Sequence, residues 1–144
     1  MYGIIATWRM ALEGISKADS MLKNNESAAD SIEEAIKAVE DFEYYKSVGY
    51  GGLPNEEMEV ELDAAFMDGD TLEFGCVGGV KDFANPVSIA RSLMHYDANN
   101  FLIGQGAEKY ASRHGFERKT MLTDRAKIHY HNRTKEITNT ELKP

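Results

Sequence analysis

Carboxylates, four histidines and one cysteine are the groups best suited to chemistry in this sequence, and their spacing decides which reactions they could serve. Glu33, Glu34, Glu40, Asp41 and Glu43 crowd one stretch. A glycosidase dyad needs two carboxylates converging across a bond, and a charge run along one helix surface does not supply that. His129 and His131 lie two apart, on opposite sides of a helix or the same side of a strand, without an acidic or cysteine partner at ligand spacing. His95 and His114 are isolated and read as surface or satisfied histidines. Cys76 is the single cysteine, so it can neither close an internal disulfide nor build a zinc site alone. Gly104-Gln-Gly106 at a strand-to-helix junction has the composition of a phosphate cradle. It lacks a third glycine and a following Lys-Ser/Thr, which leaves a plain tight turn. No Gly-x-Ser-x-Gly elbow occurs. The sequence therefore holds no convincing nucleophile-and-base set, and neither a metal nor a cofactor is expected.

The elements that must position any site follow from periodicity. Residues 3–7 are a short β-branched run that reads as an opening strand. Ala11, Ile15, Ala18, Met21 and Leu22 recur at helical spacing up to Asn24-Asn25. Ser27 caps a second helix, with Asp30 in capping-box position. Its apolar face is Ile32, Ala35, Ile36, Val39 and Phe42, with Glu33, Glu34, Lys37 and Glu40 turned to water. Residues 47–55 form a glycine-rich loop. The next strand alternates, Val60, Leu62, Ala64 and Phe66 on one face and Glu59, Glu61 and Asp63 on the other. Asp68-Gly69 predicts a two-residue hairpin turn, after which Leu72, Phe74 and Cys76 continue the apolar face. Asn85 and Pro86 take N-cap and first-turn positions of a helix with Val87, Ile89, Ala90, Leu93 and Met94. Residues 101–103 are a short strand, followed by a helix ending near His114-Gly115. Residues 1–120 form the ordered portion, and 121–144 read as a polar tail with at most a turn around 124–131.

Composition narrows the class. A hydrophobic content of 42% supports a core, and a net charge of −8 argues against a nucleic-acid partner, which clustered Lys and Arg would have to hold. Nothing approaches 18 consecutive apolar residues, and no basic segment precedes an apolar run. No membrane association is expected, the expected compartment is the cytoplasm, and the Asn-x-Ser/Thr matches at Asn25 and Asn132 read as chance.

Several motifs in register carry a more specific resemblance. Ser-Val-Gly-Tyr-Gly-Gly-Leu-Pro at 47–54 resembles the glycine loop of the glycosylasparaginases. Leu-Asp-Ala-Ala-Phe-Met-Asp at 62–68 is similar to their hairpin, with Phe66 where Ile is usual. Gly-Cys-Val-Gly-Gly at 75–79 and Asn-Pro-Val-Ser-Ile-Ala-Arg at 85–91 resemble the segment leading to the next helix. Phe-Leu-Ile-Gly-Gln-Gly-Ala-Glu at 101–108, His-Gly-Phe at 114–116 and Thr7-Trp8 extend the resemblance over roughly residues 3–118.

That resemblance implies an α/β four-layer αββα sandwich of the N-terminal-nucleophile (Ntn) hydrolases, of which this chain would be the N-terminal half, the α subunit. The precursor would cleave itself before a threonine that opens a β subunit, and 121–144 would lead toward the cleavage site. The threonine hydroxyl would attack the side-chain amide carbonyl of an asparagine derivative, its own α-amino group serving as base. A β-aspartyl ester would form and be hydrolysed, the oxyanion held by backbone and hydroxyl donors. No catalytic residue is then expected in this chain. The resemblance assigns substrate-binding roles to Trp8, as a pocket wall near the nucleophile, and to Ser47, as a hydroxyl near the threonine. Met10 stands where these enzymes often carry Phe, on the sugar side of the pocket. Expected partners are the β subunit, a small asparagine derivative and a second αβ unit in an (αβ)2 assembly. A plant-type L-asparaginase or isoaspartyl peptidase subunit is the alternative within the fold. A non-catalytic binding module is the alternative outside catalysis.

Overall fold

The computed structural model describes residues 1–141, a mixed α/β arrangement of five helices and a three-stranded sheet. A 3-10 turn at Arg9–Ala11 leads into α1 (Leu12–Lys23) and α2 (Ala28–Glu40). Then come β1 (Leu62–Met67), β2 (Phe74–Val80), α3 (Pro86–Leu93), β3 (Phe101–Ile103), α4 (Gly104–Arg113) and α5 (Asp124–Glu141). The sheet order is β1-β2-β3, with β1 antiparallel and β3 parallel to β2.

Local chemistry explains the starts and stops. The Ser27 hydroxyl accepts from the Asp30 N–H at 3.0 Å and donates to its carboxylate at 2.6 Å, as the capping-box spacing predicts. Asn25, at φ +64°, ends α1 in the left-handed region that an amide side chain tolerates. Residues 3–7 do not form the expected strand. A strand needs a ladder partner, and the described sheet supplies none there; Ile5 is almost wholly exposed. The Tyr2 hydroxyl instead pins this segment to Asp19 of α1, donating at 2.8 Å.

The hairpin between β1 and β2 also departs from expectation. Asp68 N–H bonds the Glu73 carbonyl and Leu72 N–H returns to the Asp68 carbonyl, so the loop is the four residues 69–72. The Asp68 carboxylate accepts from the Asp70 and Thr71 N–H groups, and Leu72 takes positive φ. The ladder sets Phe66 opposite Gly75 and Ala64 opposite Val77, so the return strand does not turn Leu72, Phe74 and Cys76 inward as expected. Gly75, Val77 and Val80 point into the core, whereas Leu72 and Phe74 are exposed and Cys76 is half-buried.

The core lies where α3 and α4 cover the inner face of the sheet. Phe66, Val77, Val80, Phe83, Val87, Ile89, Ala90 and Leu93 form it, joined from α4 by Ala107, Tyr110 and Ala111. Gly75 pairs with Phe66 across the ladder, and α3 lies so close to it that an added Cβ would sit 2.0 Å from the Ala90 carbonyl oxygen. The outer sheet face keeps Met67, Phe74, Phe101 and Ile103 exposed.

Where a polar tail was expected, α5 is a helix. It is anchored at its start by buried Met121, Thr123 and Ala126; Met121 packs against Val60 and Leu62. The Thr123 hydroxyl accepts from the Ala126 N–H, an N-cap that starts α5 and that the polar composition hides.

The close approach at Gly75 makes a direct prediction. Gly75→Ala drives a methyl into the backbone of α3 and should destabilise the protein by about 3 kcal/mol or more in urea denaturation. Gly106→Ala, inside α4 with open space around it, should instead add roughly 0.5–1 kcal/mol.

Candidate functional site

Trp8 precedes the 3-10 turn in extended conformation (φ −117°, ψ 142°), and its carbonyl accepts from the Ala11 N–H at 3.0 Å. This throws the indole outward, 71% exposed. An isolated tryptophan in that state gains little for the fold, because most of its apolar surface still faces water. Trp8, Met10 and Leu12, with Arg9 and Glu13 at the rim, line an open groove of about 550 Å³ whose other wall is Tyr45. Trp8 and Met10 are thus brought together. Ser47 is exposed in the loop two residues beyond Tyr45 and does not line the groove.

Tyr45 carries no sequence signal of its own, lying in the aromatic run Phe42-Glu43-Tyr44-Tyr45. Its ring packs on Phe42 at 4.8 Å, and Phe42 also touches Tyr44 at 5.4 Å. Cations hold the outside of this loop: Arg125 lies 4.2 Å over the Tyr44 ring and Lys119 4.0 Å over Tyr50. The Leu53 N–H closes the loop onto the Lys46 carbonyl at 2.8 Å, and the Gly51 N–H bonds the Met121 carbonyl at 2.9 Å.

The base of the loop is Glu40, expected at the water-facing side of α2 but only 4% exposed. Its main-chain carbonyl accepts from the Tyr50 N–H at 2.7 Å. Gly49, at φ +58°, lies so close that a Cβ would sit 2.1 Å from that same oxygen, which only glycine permits. The Glu40 carboxylate reaches the start of α3, where it accepts from the Val87 N–H at 3.2 Å and from Asn85 Nδ2 at 3.4 Å. Asn85 does stand at the N-cap position, but with positive φ and without capping α3 through its own side chain. It also donates to Asp41 at 3.1 Å, and the capping acceptor comes from another helix.

Glu33 is likewise turned inward, against expectation. It accepts from the Ser88 hydroxyl and pairs with Arg91, which also meets Asp30 at 2.7 Å. Asp30, Glu33 and Glu40 follow a three-and-seven spacing that puts them on one stripe of α2 facing α3. That spacing, opposite Arg91, was the signal available in the sequence. Burial raises the Glu40 carboxyl from 4.5 to about 7, against the N–H of Val87 and the amide of Asn85, with Asp41 and Glu33 pushing the same way. Asp30 is held below the usual carboxylate range, first by the Ser27 hydroxyl and then by Arg91.

Among the described residues, no three His, Cys, Asp or Glu side chains gather as a metal site. His129 is pulled below its ordinary value by desolvation and by Lys46 and Arg125. No described helix is long and apolar enough to cross a membrane. What the groove offers is an aromatic and thioether wall with a cation and a carboxylate at its rim, suited to holding a small polar molecule with an apolar face.

Comparison with known proteins places these observations beside one family and three relatives. Residues 5–144 match the protein family described as Asparaginase. An N(4)-(β-N-acetylglucosaminyl)-L-asparaginase of Elizabethkingia miricola is 34% identical over 120 residues, covering 83% of this chain and 35% of that protein. An isoaspartyl peptidase/L-asparaginase of Rattus norvegicus is 38% identical (81% of this chain, 37% of that protein). A plant-type L-asparaginase of Thermococcus kodakarensis is 37% identical (84% and 35%). The chain spans about a third of the length of these relatives.

The raised carboxyl of Glu40 fixes the sign of a pH effect. The folded state holds this proton more tightly than the unfolded chain, so the contribution is complete below pH 4.5 and fades as pH rises to about 7. The full effect is about 3 kcal/mol. Depressed carboxylates such as Asp30 act at lower pH and with opposite sign. In thermal melts across this window, Glu40→Gln should therefore gain stability relative to the parent as pH rises. A difference that stays flat would contradict the buried-charge assignment.

Proposed function

The chain belongs to the asparaginase family, and from that premise we propose that it is the substrate-binding α portion of an amidohydrolase acting on the side-chain amide of asparagine derivatives. The observation that carries the reading is the family match over residues 5–144, shared with relatives whose names all contain asparaginase. The nucleophile is the N-terminal threonine of a β subunit lying outside residues 1–144. Its hydroxyl oxygen bonds to the amide carbon, its α-amino group takes the hydroxyl proton, and the amine or ammonia leaves with a proton. Water then cleaves the β-aspartyl ester, giving aspartate and free threonine.

In this reading Trp8 and Met10 form the wall against which the substrate lies, and Ser47 supplies a hydroxyl toward the threonine. An exposed indole in a groove, with little packing role of its own, supports the assignment. The β subunit covers the outer sheet face, where Met67, Phe74, Phe101 and Ile103 stand exposed, completing a four-layer αββα sandwich. Two such αβ units pair.

The favoured substrate is a glycosylated asparagine, in keeping with the Val-Gly-Tyr-Gly-Gly loop at 48–52. Free asparagine or a β-aspartyl peptide is the second reading, favoured by the rat and Thermococcus relatives.

The test is release of aspartate by the full-length gene product from three substrates: N4-(β-N-acetylglucosaminyl)-asparagine, asparagine and a β-aspartyl dipeptide. The first should turn over fastest, preference for either of the others would favour the second reading, and no turnover of any would overturn the proposal. Trp8→Ala should lower kcat/KM by roughly 10- to 100-fold while changing stability by less than about 0.5 kcal/mol.

A further inference from the structure

Residues 41–48 leave α2 directly after Glu40 and return onto it, because Gly49 and Tyr50 rest on the Glu40 main chain. Tyr45, which lines the groove, and Ser47, exposed two residues on, both lie between those two anchor points. The same residue sends its carboxylate the other way, to Val87 and Asn85 at the start of α3. The first turn of α3 is itself immobilised, since Pro86 and Val87 are buried against the sheet. The base of the loop is therefore referenced to the sheet through one side chain.

We propose that Glu40 is a positioning residue for the substrate groove: by fastening the end of α2 to the first turn of α3, it fixes where the loop presents Tyr45 and Ser47. Glu40 is buried and is not among the residues that line the groove, so its influence is exerted through the backbone it carries. Glu33 is the natural control. It too joins α2 to α3, through Ser88 and Arg91, but carries no part of the loop. The inference rests on the groove assigned above to the asparagine derivative.

Glu40→Ala, Glu40→Gln and Glu33→Ala in the full-length protein test it by two readouts, one independent of activity. In hydrogen exchange, Glu40→Ala should speed exchange across residues 45–52 by tenfold or more beyond its change in global stability, on the order expected for a freed loop. Glu33→Ala should not. In kinetics on the preferred substrate, Glu40→Ala should raise KM roughly tenfold and change kcat less than about threefold, since a misplaced wall weakens binding. Glu40→Gln keeps an acceptor for the Val87 N–H and should restore KM to within about threefold. Should Glu40→Ala not fold, Asn85→Gly, which tolerates the positive φ of this position and removes the Nδ2 donor to Glu40 and Asp41, takes its place with the same readouts. Equal loop exchange in the Glu40 and Glu33 variants would overturn the inference. If no substrate is turned over, the functional reading falls and exchange alone decides on Glu40.

Discussion

The seating of α3 on β2 is the contact on which the rest of this structure depends. A helix can approach a strand this closely only where the strand offers no side chain, and Gly75 provides that opening beneath Ala90 and Met94. Phe66, opposite Gly75 on β1, fills the flank of the gap, and Arg91 lies over its ring at 5.5 Å. With Val87, Ile89, Ala90 and Leu93 nearly inaccessible, α3 becomes the fixed body to which the outer helices refer.

Hydrogen bonds and an ion pair at defined atoms join α2 to α3, beside the packing of Ala29 and Ile36 on the core. Burying Glu33 and Glu40 would be costly without partners, and each has them: Ser88 and Arg91 for the first, Val87 and Asn85 for the second. Apolar contacts between two helices tolerate sliding, whereas hydrogen bonds at defined atoms do not. A polar joint of this kind suits a helix whose last residue carries a site loop. The same logic explains why Gly49 must be glycine, as the loop touches down on backbone rather than on a side chain.

Features set by nearest neighbours were legible in the sequence. Ser27 with Asp30, the apolar face of α3 and the alternation of β1 all rest on spacings of a few residues, and each appears as read. What was not legible depends on partners far along the chain. Glu33 and Glu40 look like a solvated face until Arg91, Asn85 and Val87, some fifty positions away, come to meet them. Leu72, Phe74 and Cys76 read as the inner face because apolar residues alternate there. The Asp68 carboxylate organises a four-residue loop, and the ladder that follows pairs Phe66 with Gly75 and Ala64 with Val77, which turns Gly75 and Val77 inward. Helix α5 has few apolar residues, and its docking depends on Met121, Ala126 and the Arg125–Tyr44 contact rather than on a periodic stripe. At the site, Trp8 and Met10 were found by resemblance; Tyr45 became visible only when the loop had closed on Glu40.

In the proposed arrangement this chain holds the substrate while a separate polypeptide, opening on threonine, performs the chemistry. Intact-mass analysis with N-terminal sequencing of the full-length gene product, purified without denaturation, tests it most directly. Two co-purifying polypeptides, the second beginning with threonine, are predicted. A single polypeptide that acquires no threonine N-terminus would contradict the claim.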